Sequence, residues 1–150
     1  MSILNELKIV LEKGTVMVAG DKPVEMNIMD FLSHLQEIFQ GYNPNISDIE
    51  EVVKVLIDYA IENKNGEIVE EVLDTITNSQ RVSEINYVNF DVFEEKLDMV
   101  SGQILYKYIE ILGGSQNHKY IPSILKMKKH TDPIIQEGIE DALNEMSYES

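Results

Sequence analysis

Cysteine is absent from this chain, which excludes disulfides and thiolate-held metals. Bases are scarce: 12 Lys and Arg stand against 27 Asp and Glu, a formal net charge of -15. Such a surface repels DNA, RNA and anionic lipid and attracts basic proteins. No apolar run approaches the ~18 residues that a bilayer-spanning helix needs. The opening stretch MSILNELKIVLEKG carries Glu6 and Glu12 and lacks a long apolar core, which makes it a poor export signal. A cytoplasmic protein with no nucleic-acid and no membrane partner is expected. Asn45-Ile46-Ser47 fits a glycosylation sequon, which has no meaning without secretion.

Catalytic patterns are equally sparse. The three histidines are His34, His118 and His130, and no His-Glu-x-x-His pairing occurs. His34 and Glu37 share a helix face without an obvious further ligand. On a helix, His118 and His130 stand about 18 Å apart, too far to share a metal. Ser101-Gly102 and Gly113-Gly114-Ser115 lack the flanking strand and spaced glycines of a nucleophile elbow or a phosphate loop. Gly113-Gly114 reads as a helix stop. No loop has calcium-ligand spacing. The expectation is a protein without catalytic residues, metal or cofactor.

What is present is a foldable helical pattern. Hydrophobic residues make up 43% of the 150 and charged residues 26%, the balance of a globular chain. That length suffices for one domain with a core, here expected to be a single helical domain over residues 1–150. Ser2 precedes a stripe of Ile3, Leu4, Leu7, Val10 and Leu11, an amphipathic helix over 3–12. Gly14–Pro23, with Val16, Met17 and Val18 followed by Gly20-Asp21, reads as a short strand or loop within 14–26. Asn27–Phe39 is helical, and Gly41–Asn45 breaks it. The N-terminal helices therefore occupy residues 1–45.

From residue 46 onward helical hairpins are expected. Ser47-Asp48-Ile49-Glu50 is a capping box ahead of Val52, Val53, Leu56, Ile57, Ala60 and Ile61. Gly66 suits a left-handed stop, and a second helix runs from Glu67 to Ile76. Their short linker makes the two antiparallel. Residues 77–90 read as a loop with at most one short turn, Asp91–Val100 as a helix, and Ile104–Leu112 as another. A 31-residue shift lays Ile104 on Ile135, Tyr108 on Ile139, Ile111 on Ala142 and Leu112 on Leu143. Between the matching helices, His118–Lys129 is helical with Pro122 in its first turn. Pro133 opens the next helix behind Asp132.

Ile104–Leu112, Gly113-Gly114, Tyr120-Ile121-Pro122-Ser123-Ile124-Leu125 and Thr131-Asp132-Pro133 through Ala142-Leu143 together resemble a HEAT-like repeat over 103–146, more loosely over 48–102. Gln116 and Asn117 stand where that family has charged turn residues, which implies a short irregular stack. The resemblance implies an all-α fold of antiparallel helical hairpins stacked as a short HEAT-like array.

The acids supply the candidate site. Glu67, Glu70, Glu71 and Asp74 are spaced i, i+3, i+4 and i+7, opposite Ile68, Val72 and Ile76. Like charges at this spacing cost ~0.2–0.5 kcal/mol per pair. Glu94, Glu95 and Asp98 repeat the theme, and from Asp48 to Asp98 there are 14 acids and 4 bases. This is either a solvated face that aids solubility or a docking face for a basic protein. Tyr87 and Phe90 lie in the intervening loop, where tyrosine is a common interface anchor and core packing is the alternative. Lys126, Lys128 and Lys129 close a helix C-terminus, where positive charge opposes the macrodipole. The small, acidic, cysteine-free chain also resembles immunity proteins of bacterial polymorphic toxin systems. That resemblance implies a basic toxin domain as partner, met by Glu67, Glu70, Glu71, Asp74, Tyr87, Glu94, Glu95 and Asp98. The alternative is a HEAT-like regulatory scaffold or accessory subunit that binds another protein.

Overall fold

The computed structural model describes residues 2–41, 48–81 and 88–148. Helix α1 spans Ile3–Lys13, capped by Ser2, whose hydroxyl accepts from the Asn5 amide at 3.2 Å. It closes on Gly14 at φ 85°, a left-handed turn that favours glycine, with the Gly14 amide on Val10 O at 2.8 Å. Leu7 and Val10 are buried as expected, but so is Glu6, at 4% exposure. Its carboxylate accepts the Ala19 amide at 3.1 Å. That bond ties α1 to the turn of a hairpin, β1 (Thr15–Val18) and β2 (Val24–Asn27), paired antiparallel with Val16 opposite Met26 and Val18 opposite Val24. The segment read as strand or loop is therefore a two-stranded ribbon.

Helix α2 (Ile28–Gln40) starts on Asn27, whose side chain accepts from the Asp30 amide at 2.8 Å, and buries Phe31, Leu32, Leu35 and Phe39. Helix α3 (Ile49–Glu62) buries Val52, Val53, Leu56, Ile57 and Ala60. Ser47, the expected cap of α3, lies outside the described residues. Two asparagines make the turn that follows. Asn63 Oδ1 accepts the Asn65 amide, and Asn65 Oδ1 accepts the Ile68 amide at the start of α4 (Gly66–Gln80). Gly66, expected to be a left-handed stop, is instead the first residue of α4.

Helix α4 also outruns its expected end at Ile76 by four residues. The polar continuation stays helical because its side chains bond the helix's own carbonyls. Thr77 Oγ1 donates to Leu73 O, Asn78 Nδ2 to Asp74 O and Ser79 Oγ to Ile76 O. Satisfied in this way, Ser79 is fully buried. Helix α4 packs on α3 and α2, and α1 on α3. The hairpin α3–α4, grouped by sequence with the repeats after it, thus joins α1, α2 and the ribbon in one compact unit, residues 1–83.

Residues 84–150 form a second unit. The expected helix over 91–100 divides into α5 (Asp91–Glu95) and a 3-10 turn, Leu97–Met99, because Lys96 leaves helical geometry at φ -103° and ψ 7°. Phe93 packs against Tyr108 with ring centroids 4.8 Å apart and against Phe90 at 6.4 Å. Helix α6 covers Gly102–Gly114, and α7 (Ile121–Lys126) is a short helix between 3-10 turns at His118–Tyr120 and Met127–Lys129. Helix α8 spans Pro133–Glu145, with Asp132 Oδ1 accepting the Ile134 amide at 3.0 Å. Pro122 and Pro133 both lie in first turns, where a missing amide costs little.

The Gly113-Gly114 pair does not stop α6 from outside; both residues belong to the helix. A Cβ on Gly113 would lie 2.7 Å from Ala142 Cβ, so the glycine permits close approach of α6 to α8. Tyr106 meets Gly138 in the same seam. Both contacts advance together along the two chains, so α6 and α8 run in the same direction. At the 31-residue shift Tyr108 and Ile139, Ile111 and Ala142, and Leu112 and Leu143 are all buried. Ile104 is half-buried where Ile135 is buried. Among the described residues the protein is eight α-helices with one two-stranded ribbon, an all-α fold.

Candidate protein-binding surface

Of the four acids on α4, Glu67 is exposed, whereas Glu70, Glu71 and Asp74 are half-buried. The helix packs on two neighbours, so its buried face is wide: Val69, Val72, Leu73, Thr75, Ile76 and Ser79. Glu71 stands at its edge, against α2. Gln36 Nε2 donates to Glu71 Oε1 at 2.7 Å and lies 3.0 Å from Thr75 Oγ1. Asn78 Nδ2 donates to Gln36 Oε1 at 3.2 Å, and Gln40 Nε2 to Asn78 Oδ1 at 2.9 Å. A polar ladder thus runs along the α2–α4 seam, with Glu71 at one end. Glu71→Ala is expected to cost about 0.5–1.5 kcal/mol, the net worth of such a bond. Glu71→Gln keeps an acceptor for Gln36 and should be near neutral. Paired urea melts measure both, and equal midpoints for the two variants would remove Glu71 from the seam.

The remaining acids belong to the second unit. Glu94 Oε2 accepts from Ser123 Oγ at 2.9 Å, joining α5 to α7. Glu95 and Asp98 are exposed. Tyr87 lies outside the described residues. Phe90 is core, at 1% exposure. The expected set of acids therefore divides between the two units, and two of its members, Glu71 and Glu94, hold helices together.

One polar cluster escaped the sequence reading. The buried Tyr120 hydroxyl donates to Asp91 Oδ1 at 2.8 Å and accepts from the Phe90 amide at 3.1 Å. Lys119 Nζ lies 2.8 Å from the same Asp91 oxygen and 5.1 Å from the Tyr120 ring centroid. Hydrogen bonds from Lys119 and then Tyr120 hold the Asp91 carboxyl below its ordinary pKa. Burial, and then the bond to Asp91, push the Tyr120 phenol well above its ordinary value. A carboxyl depressed in the folded state contributes stability above its unfolded pKa, and that contribution is lost as pH falls through the folded value. Wild type should therefore exceed Asp91→Asn in urea midpoint at pH 7. The gap should close as pH falls below about 4, the ordinary aspartate range. A gap that stays constant from pH 7 to the acid limb would show that the ionised carboxylate is not what matters.

Other chemistry is modest. His118 Nε2 lies 3.0 Å from Met146 O, and His34 packs on Phe31. Among the described residues no three His, Asp or Glu side chains are placed to hold a metal ion, and no helix is long and apolar enough to cross a membrane. A cleft of about 360 Å³ is lined by Lys128, Gln136, Ile139, Glu140, Leu143 and Tyr148. Among the described residues the large exposed apolar side chains are Met99, 73% exposed, Met17 and Val24, 52%, and Ile134, 46%. The available chemistry is that of a carboxylate-rich surface with scattered apolar anchors. Set against protein-family models, characterised proteins and solved structures, the chain finds no match.

Proposed function

We propose that this protein is a non-catalytic binding module, an immunity protein that neutralises a cognate basic toxin domain in the bacterial cytoplasm. The observation that carries the reading is the charge: -15 over 150 residues. A toxin domain built to hold nucleic acid has a basic cleft, and a carboxylate-rich surface competes for it. Opposite charge of this size raises association rates tenfold to a thousandfold. The succession α6, α7, α8, with α6 and α8 parallel at a 31-residue offset, supports a short HEAT-like stack as the scaffold.

The alternative is a HEAT-like scaffold or accessory subunit that binds through apolar surface, favoured by the exposed Met99 and Met17. Salt separates the two readings, because screening weakens exposed charge pairs and leaves apolar burial intact.

The test is to read the neighbouring reading frame just upstream for a large gene with a toxin-like C-terminal domain and to co-express that domain with this chain; a neighbourhood without one would count against the reading. That domain alone should arrest growth of a bacterial host, and this chain should relieve the arrest. Affinity of the purified pair should fall at least tenfold between ~50 and ~300 mM salt. Arrest that persists despite both chains being soluble, or a complex indifferent to salt, would overturn the reading.

A further inference from the structure

The α6–α8 seam has an outer side that the acidic stripe of α4 does not share. On α6, Tyr106 and Glu110 are one turn apart on the flank that meets α8. On α8, Ile134, Gly138 and Asp141 lie on the flank that meets α6, with Glu137 beside them. The seam is built around the tyrosine. A Cβ on Gly138 would lie 2.9 Å from Tyr106 Cδ2, so only glycine leaves the ring room between the helices. Ile134 begins the same flank of α8 and is 46% exposed, so its side chain is open to a partner there. Burial, and then the charges of Glu110, Asp141 and Glu137, raise the Tyr106 phenol pKa. Those carboxylates therefore act on the ring as a group, and Lys107 offsets part of their charge. Helix α8 itself carries Glu137, Glu140, Asp141 and Glu145 without a base.

We infer that the outer side of the α6–α8 seam, with Tyr106 and Ile134 as apolar anchors and Glu110, Glu137 and Asp141 as its rim, is the docking surface for a basic protein segment that presents arginine beside an apolar side chain. Charge complementarity selects the occupant. A guanidinium meets the carboxylates in bidentate geometry and stacks on tyrosine, while its aliphatic stem and an apolar neighbour cover the ring and Ile134. An acidic segment would face like charge at Glu137 and Asp141, and a purely apolar one would desolvate both. An aromatic anchor inside a charged rim is the usual composition of an energetic centre at a protein interface. This placement rests on the basic-partner reading above and adds where the partner binds.

The test uses the whole chain and a synthetic helical peptide carrying arginine and leucine on one face. Two control peptides replace leucine by serine or arginine by glutamate. Amide shifts mapped by NMR should centre on Tyr106, Glu110, Ile134, Glu137 and Asp141. By calorimetry at low salt, Glu137→Gln with Asp141→Asn should weaken binding about tenfold. Ile134→Ser should weaken it severalfold, and Glu67→Gln with Glu70→Gln less than twofold. These are exposed or rim positions, and thermal melts of each variant confirm folding. Shifts that centre on α4, with the Glu67 and Glu70 pair as the sensitive one, would overturn this placement and leave the basic-partner reading intact. Equal binding of the serine control would remove the apolar anchors. No shift at millimolar peptide would overturn both.

Discussion

Gly113→Ala is expected to destabilise the protein by about 2–3 kcal/mol, the upper part of the range for overpacking a filled core. The substitution adds one methyl group and improves helix propensity by ~1 kcal/mol, so a helix considered alone would gain. Packing reverses the sign. The new Cβ would stand 2.7 Å from Ala142 Cβ and 2.8 Å from Ala142 Cα. The second contact is with backbone, so no rotamer change relieves it and α6 and α8 must separate. Gly66→Ala is the matched control. Nothing lies within 4 Å of a Cβ at Gly66, and the same change there should leave stability unchanged or raise it by up to ~1 kcal/mol. Adding Ala142→Gly to Gly113→Ala should recover part of the loss, since it removes one of the two contacts and the sites are coupled. Urea midpoints of the four proteins decide the matter. Equal effects at Gly113 and Gly66 would mean that the close approach of α6 and α8 is absent in solution.

Leu112→Ala should cost about 2–5 kcal/mol, and more than Leu143→Ala. The two leucines coincide under the 31-residue shift, yet their surroundings differ. Leu112 is fully buried on α6. Leu143 is 6% exposed and lines the cleft beside Tyr148, so water and neighbouring side chains fill part of the space its truncation leaves. The residual cavity, which sets the spread of such costs, is accordingly larger at Leu112. Denaturant melts of the two single variants measure the difference. Two silent substitutions would show that neither leucine is core.

Several features were legible in the sequence because their causes are local. Ser2 and Asp132 cap helices because each side chain reaches an amide two or three residues on. Pro122 and Pro133 start helices for the equally local reason that a first-turn proline has no bond to lose. The apolar periods of α3 and α8 predicted buried faces that match at Val53, Leu56, Ile135 and Ile139. The charge of -15 needs no fold at all.

Tertiary structure decided whatever depends on which surfaces meet. Thr77, Asn78 and Ser79 have loop-like composition, and they are helical because their side chains satisfy carbonyls on the turn below while α4 extends along its neighbours. Glu6 looks like a surface acid, yet a hairpin amide 13 residues away draws it inside. Glu71 belongs to an acidic stripe in one dimension and to the α2–α4 ladder in three, because Gln36 is 35 residues distant in sequence. Gly113 has the pattern of a stop, and only the arrival of Ala142 turns it into a contact. The seat of Tyr106 on Gly138 has the same origin. Composition and spacing set the charge, the caps and the periods, since each acts within one or two turns of chain. The destinations of the acids and the purposes of the glycines came from long-range packing, which brings together residues that no local pattern relates.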